Sequence, residues 1–203
     1  MSKNTPIPAS VARTAIVSDP PPESIIGHFA LVYDAARLAK RVRVDAFSVV
    51  YPTAVLGESA HLGSHTVVYQ EAVVGSNAHL GSHCVVGRGA VVGEGARMED
   101  GASLDPGCHL GADAFLGPGA RLLDRTRLPT SEPGTPARVG DRTRIGGNAV
   151  VCGGITVGAD AVVSAGESEE VQGDLEGRVE DDVSDGGVWM GGRLAGLDEG
   201  KEW

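Results

Sequence analysis

The sequence predicts an all-β solenoid: short strands wound around a thin apolar core. Three observations carry that expectation. First, every sixth residue from Ile26 to Leu128 is aliphatic, an unbroken run of eighteen that includes Val44, Val50, Leu62, Leu80 and Val86. Second, four residues after each beat sits a small or β-branched residue, as at Ala30, Val42, Ser48, Thr66, Cys84 and Ala96. Third, Gly often follows the beat directly, as at Gly57, Gly63, Gly75, Gly81 and Gly93. Each hexapeptide then reads as one short strand plus a corner. The aliphatic residue fills the interior, the small residue lets the walls approach, and Gly, Asn or Asp at corners permits positive φ. Aromatic residues make up only 4% of the chain, which suits so narrow a core.

The elements follow in chain order. Residues 1–25 are polar and Pro-rich (Pro20, Pro21, Pro22) with no period, and read as a flexible lead-in. Residues 26–166 read as the solenoid domain. Within it, 129–138 contains three prolines and a glycine and reads as a loop expelled from the wall, because Pro cannot donate in a ladder. The beat resumes at Val139, Ile145, Val151, Val157 and Val163. The tail, 167–203, carries twelve acidic and three basic residues, so −9 of the net charge of −10 lies there. Its segment VWMGGRLAGL is expected to form a short helix capping the open end of the solenoid.

Strict hexapeptides of this kind resemble the hexapeptide-repeat proteins. That resemblance implies a left-handed parallel β-helix with three strands and eighteen residues per coil. The chain then makes about eight coils, a rod of roughly 35–40 Å at about 4.8 Å per coil. No run of eighteen apolar residues occurs, so no membrane span is expected. The N-terminus shows no basic stretch leading into an apolar core, so no secretory signal is expected. Cys84 and Cys108 hold small inward positions, Cys152 follows a beat, and no pair has disulfide or metal spacing. A cytoplasmic location is the expectation. The near-neutral solenoid and acidic tail argue against a nucleic-acid partner.

Residues eighteen apart stack, so outward positions form columns. Two columns carry valines: Leu31, Val49, Val67, Val85, Ser103, Arg121, and Arg37, Val55, Val73, Val91, His109, Arg127. The third reads Arg43, His61, His79, Arg97, Phe115. Two apolar faces per prism suit a homotrimer about a threefold axis, with clefts between neighbours. A corner column reads Phe29, Phe47, His65, His83, Gly101, Gly119. Four imidazoles therefore sit on two adjacent coils. His83 and His79 are candidate general bases, and His61, His65, Arg43 and Arg97 are candidate contacts for a polar small-molecule acceptor. The same imidazoles also fit solvated corners and strand edges.

A narrower resemblance runs from about 51 to 166. The order YPTAV, LGSHTVVYQ, LGSHCVVGRGAVV, MEDGASLDPGCHLGADAFLGPG, a loop, then RIGGNAVVCGGITVG is similar to the bacterial sugar N-acetyltransferases. The most similar group acetylates the 3-amino group of nucleotide-linked sugars for surface polysaccharides. The resemblance implies acetyl-CoA as co-substrate. It also implies a pantetheine lying along the rod at Gly153, Gly154, Ala165 and Gly166. Polar signatures differ: Tyr69, Gln70 and Glu71 replace the group's Trp-His-Phe, and Glu99, Asp100 and Gly101 its Gln-Asn-Asn. Glu169 and Glu170 stand near where the group has a Lys that meets cofactor phosphates. Those differences keep a non-catalytic structural or assembly β-helix as an alternative. A metalloprotein like the gamma carbonic anhydrases is a further alternative. That family uses a His pair five apart, whereas His61 and His65 are four apart, and no metal is expected.

Overall fold

The computed structural model describes residues 10–11, 20–124, 135–166, 188–190 and 193–195. The chain is a left-handed parallel β-helix. Twenty-two strands of two residues each, from Ile25–Ile26 to Val162–Val163, wind into three sheets. At three strands per coil this is seven coils and one further strand, slightly fewer than the eight expected. Strands eighteen residues apart pair in parallel, so His61 lies beside His79 and Val67 beside Val85. We call the sheet holding Arg43, His61 and His79 the first face. The second face holds Val49, Val67 and Val85, and the third holds Val55, Val73 and Val91.

The beat builds this wall by alternation. In each wall strand the first residue points outward and the second inward, buried as in His61–Leu62 and Val67–Val68 in every strand but Arg37–Leu38, where Leu38 is partly buried. Leu56, Leu62, Leu80, Leu104, Leu110 and Leu116 fill the axis of the prism. Each such side chain contributes about 1.5–3 kcal/mol by leaving water. Most of the small residues four places on are buried as well, and the polar Ser48 and Thr66 are satisfied, whereas the buried Ser24 Oγ at the start of the first coil has no hydrogen-bond partner among the described residues. Ser48 Oγ donates to the Gly63 carbonyl at 2.8 Å, and Thr66 Oγ1 to the Gly81 carbonyl at 2.8 Å. Burial pushes the Cys84 and Cys108 thiols up to about 11, so both are inert packing groups at neutral pH. Gly63 shows why glycine follows the beat: a Cβ there would lie 2.6 Å from the Gly81 carbonyl carbon.

The loop enters the wall in a different register from the beat. Leu110 pairs with Val139, not Leu128, and His109 with Arg138, not Arg127. Leu128 and Arg127 lie outside the described residues. The physical reason is a donor. At each wall step the residue after the beat gives its N–H to the next coil, as Gly63 does to Leu80 and Gly111 to Val139. The residue after Leu128 is Pro129, which has no N–H. The strand Arg138–Val139 therefore begins inside the stretch expected to be loop. An Asp124–Pro136 bridge and an Ala137 N–H bond to the Leu123 carbonyl close the neck.

Both ends of the first face are extended. Ser10–Val11 pairs in parallel with Ile25–Ile26, so the lead-in is not wholly without structure. At the far end Val188–Met190 pairs in parallel with Val162–Val163, and Arg193–Ala195 folds back antiparallel on it. The expected capping helix is thus a hairpin. An exposed sheet edge offers a row of unpaired N–H and C=O groups, and a strand satisfies them where a helix does not. Gly191 and Gly192 between the two strands are a two-residue hairpin signature. No helix among the described residues is long and apolar enough to cross a membrane.

Candidate functional site

The polar column of the first face is hydrogen-bonded from Arg43 to His79. Arg43 Nε donates to Asp45 Oδ1 at 2.7 Å. Asp45 Oδ2 lies 3.0 Å from His61 Nε2, and His61 Nδ1 lies 3.0 Å from His79 Nδ1. A carboxylate only accepts, so His61 Nε2 carries the proton between them. In the neutral ring His61 Nδ1 is then the acceptor, and His79 Nδ1–H donates to it. The chain of bonds leaves the lone pair of His79 on Nε2.

The electrostatics keep that lone pair available. Burial first, and then any charge on a protonated His61 and the Arg97 cation, hold the His79 imidazole below its ordinary value, against the opposing pull of Glu99 and Asp45. Burial works to raise the Asp45 carboxyl, but hydrogen bonds from Arg43 and His61 outweigh it and keep Asp45 ionised. Arg97 Nε donates to Glu99 Oε1 at 2.6 Å. Both arginines expected to meet an acceptor are thus anchored by an acid two residues on. The result is a neutral imidazole oriented by a second imidazole and a carboxylate, an arrangement suited to taking a proton.

His65 and His83 form a different assembly. They sit at the corner between the first and second faces, at φ of 60° and 59°. Their rings stack with centroids 4.8 Å apart and planes 1° apart. Phe47 stacks on His65 at 4.9 Å and Phe29 on Phe47 at 5.0 Å, giving a ladder of four rings. The structure therefore joins His61 to His79 by a hydrogen bond and His65 to His83 by stacking, as two separate pairs.

The four residues expected along a pantetheine divide between two corners. Gly154, with φ of 85°, follows the second-face strand Val150–Val151. Ala165 and Gly166 follow the first-face strand Val162–Val163, on the same corner as the ring ladder. A Cβ on Gly166 would meet nothing within 4 Å. Among the described residues no group of three or more His, Cys, Asp or Glu side chains is gathered to hold a metal ion.

Asp45 and Glu99 are the residues that column-reading misses. Both stand in the position after the beat, where Gly27, Gly63, Gly81 and Gly117 otherwise repeat. An acid interrupting a glycine column was the available signal.

The fold and repeat agree with comparisons to known proteins. A family model described as the hexapeptide repeat of succinyl-transferase matches residues 71–112 and 136–167, on either side of the loop. A UDP-N-acetylglucosamine acyltransferase from Campylobacter jejuni superposes with a TM-score of 0.58 at 18% identity, covering 78% of this chain and 66% of that one. A GDP-perosamine N-acetyltransferase from Caulobacter crescentus, solved with CoA and GDP-perosamine, gives 0.44 at 17% identity over 94% of this chain and 58% of that one. The acetyltransferase domain of PglB from Neisseria gonorrhoeae, solved with acetyl coenzyme A, gives 0.31 at 16% identity over 96% and 60%. The chain thus spans less than two thirds of each. No curated protein matches it in sequence. The chain resembles the hexapeptide-repeat acyltransferases and shares their fold.

Proposed function

We propose that this protein is an acyl-CoA-dependent acyltransferase. Its donor is acetyl-CoA, and its acceptor is an amino or hydroxyl group on a small sugar-type molecule. The observation that carries the reading is the Asp45, His61, His79 chain, which presents a neutral Nε2 on the face of the prism that also carries Arg43 and Arg97. The repeat of succinyl-transferase and the superposition on an acyltransferase support the same chemistry. His79 Nε2 takes the proton from the acceptor as its nitrogen or oxygen bonds to the thioester carbonyl carbon. His79 then returns that proton to the sulfur as the C–S bond breaks. His83 has a ring on one face but no orienting carboxylate, so His79 is the better base.

The corner that carries Gly101, Gly119 and Gly166 leaves room for an extended pantetheine. Of these, a Cβ on Gly101 would come no nearer than 3.9 Å to the Gly119 backbone, and one on Gly166 would meet nothing within 4 Å. The remaining apolar surface suits a homotrimer. Val73 and Val85 are 36% and 37% exposed in the single chain, and Phe29, Tyr33 and Phe47 between 41% and 56%. Sedimentation at a monomer mass would overturn the trimer. Three free cysteines, two of them buried, suit a reducing cytoplasm.

The test is calorimetric titration with acetyl-CoA, followed by thiol release in the presence of amino-sugar nucleotides. Saturable binding and acceptor-dependent thiol release are expected. Absence of acetyl-CoA binding would sink the proposal and favour a structural β-helix.

A further inference from the structure

The ring ladder stops abruptly. Phe29, Phe47, His65 and His83 stack at intervals of 5.0, 4.9 and 4.8 Å up the corner between the first and second faces. The next two residues of the same column are Gly101 and Gly119, and then Asn148. One face of the His83 ring is covered by His65. The other is turned toward the coil of Gly101, where there is no side chain. A Cβ built on Gly101 would meet only the Gly119 backbone, at 3.9 and 4.0 Å. One coil further up, the Asn148 side-chain oxygen lies over Gly119 and roofs the space. The result is a slot about one to two coils tall, or roughly 5–10 Å. Its floor is aromatic, its back wall is bare backbone and its ceiling is an amide.

From this slot we infer a binding site for the purine or pyrimidine base of a nucleotide. An exposed imidazole face is completed by a flat π-system, as each lower rung of this ladder already is. The glycine wall lets such a ring approach without a clash. The surrounding groups complete a nucleotide. Arg121 is exposed on the second face, in register with Ser103, and stands level with Gly119. A guanidinium there meets a phosphate. Asp100 is exposed at the edge of the slot, with one carboxylate oxygen receiving the Ser82 N–H at 2.7 Å. Its charge repels phosphate and accepts base N–H groups. The base therefore lies toward Asp100 and the phosphate toward Arg121. A base stacks here whether or not His79 transfers an acyl group, so the site and the reaction fail separately. Two substrates of an acyltransferase carry such a base: the adenine of an acyl-CoA, and the base of a nucleotide-linked acceptor.

The test uses the full chain, with AMP, UMP, GMP, coenzyme A and ribose 5-phosphate as probes in calorimetry. A second readout is the ring-current shift of the His83 imidazole protons in NMR. At least one base-bearing probe is expected to bind with an upfield His83 shift, and ribose 5-phosphate at least about tenfold more weakly. Preference for coenzyme A assigns the site to the donor, and preference for a mononucleotide assigns it to the acceptor. Gly101→His adds a fifth rung in a column that already holds His at φ of 60° and 59°. It should fill the slot and weaken binding about tenfold or more, while His83→Phe, which restores the ring type of Phe47, should keep it. If Gly101→His does not fold, His83→Ala carries the same expectation. The inference is overturned if no probe binds, if ribose 5-phosphate binds equally well, or if these substitutions leave affinity unchanged.

Discussion

His61 with His79, and His65 with His83, are the same residue pair built twice on the same two coils, four residues apart. The first pair meets edge to face, with planes at 70° and nitrogens 3.0 Å apart. The second lies flat, with planes at 1°. Backbone position produces the difference. His61 and His79 project from strands of the first face, where Asp45 one coil earlier draws His61 into a hydrogen bond. His65 and His83 project from corners at positive φ, where Phe47 is the neighbour below and only ring faces are on offer. Positive φ costs a non-Gly residue roughly 1–2 kcal/mol. Ring pairs of about 0.5–1.5 kcal/mol offset part of that cost. The carboxylate neighbour suits the first pair to the base proposed above, and the aromatic neighbour suits the second to the proposed platform.

The largest expected effect separates the two pairs outright. His79→Ala removes the proposed base and should lower turnover by roughly 10²–10⁴. His83→Ala removes the platform and should act through a raised KM for the nucleotide-bearing substrate. Steady-state thiol release in both variants measures the split. If His83→Ala instead abolishes turnover at saturating substrate and His79→Ala does not, the roles assigned to the pairs are reversed.

Asp45→Asn is a subtler break. It keeps the volume but no longer obliges His61 Nε2 to be the donor, so the lone pair of His79 is no longer fixed outward. Turnover should drop by about tenfold or more, with little change in KM. Asp45 also supports the protonated form of His79, so its loss moves the acid limb of the rate profile to lower pH. Asp45→Glu should restore part of the rate. An unchanged pH limb in Asp45→Asn would reduce Asp45 to a structural residue.

How much of this was legible follows the same division between repeat and neighbour. The wall was readable because its core demands one aliphatic residue every six, and a column is fixed once the coil length is known. The His pairs were readable as columns for that reason. Their division into a hydrogen-bonded pair and a stacked pair was not, because it depends on Asp45, sixteen residues before His61 and so off the column. Leu128 fits the beat perfectly, and only the missing N–H of Pro129 shows that the wall passes it over. VWMGGRLAGL looks helical in isolation, yet its two strands are set by a sheet edge at Val162–Val163 that no local pattern announces. Gly153 and Gly154 read as partners of Ala165 and Gly166, but successive corners of a prism point apart.

The smallest expected effect tests the electrostatics of the base pair alone. Arg97 is one of the charges that hold the His79 imidazole below its ordinary value, after burial and His61. A nearby cation disfavours a second positive charge, so removing it makes His79 easier to protonate and raises its pKa. In the proposed mechanism the working form of His79 is neutral, so activity is lost as pH falls through that value. Arg97→Gln should therefore move the acid limb of kcat/KM to higher pH and leave the plateau nearly in place. The substitution also frees Glu99 from its bond to Arg97. Glu99 favours the imidazolium, so it adds to the shift in the same direction. Arg97→Gln combined with Glu99→Gln should return the limb toward its original position, because the two charges act on His79 with opposite signs. A limb that stays fixed in both variants would mean that proton transfer at His79 does not set the acid side of the profile.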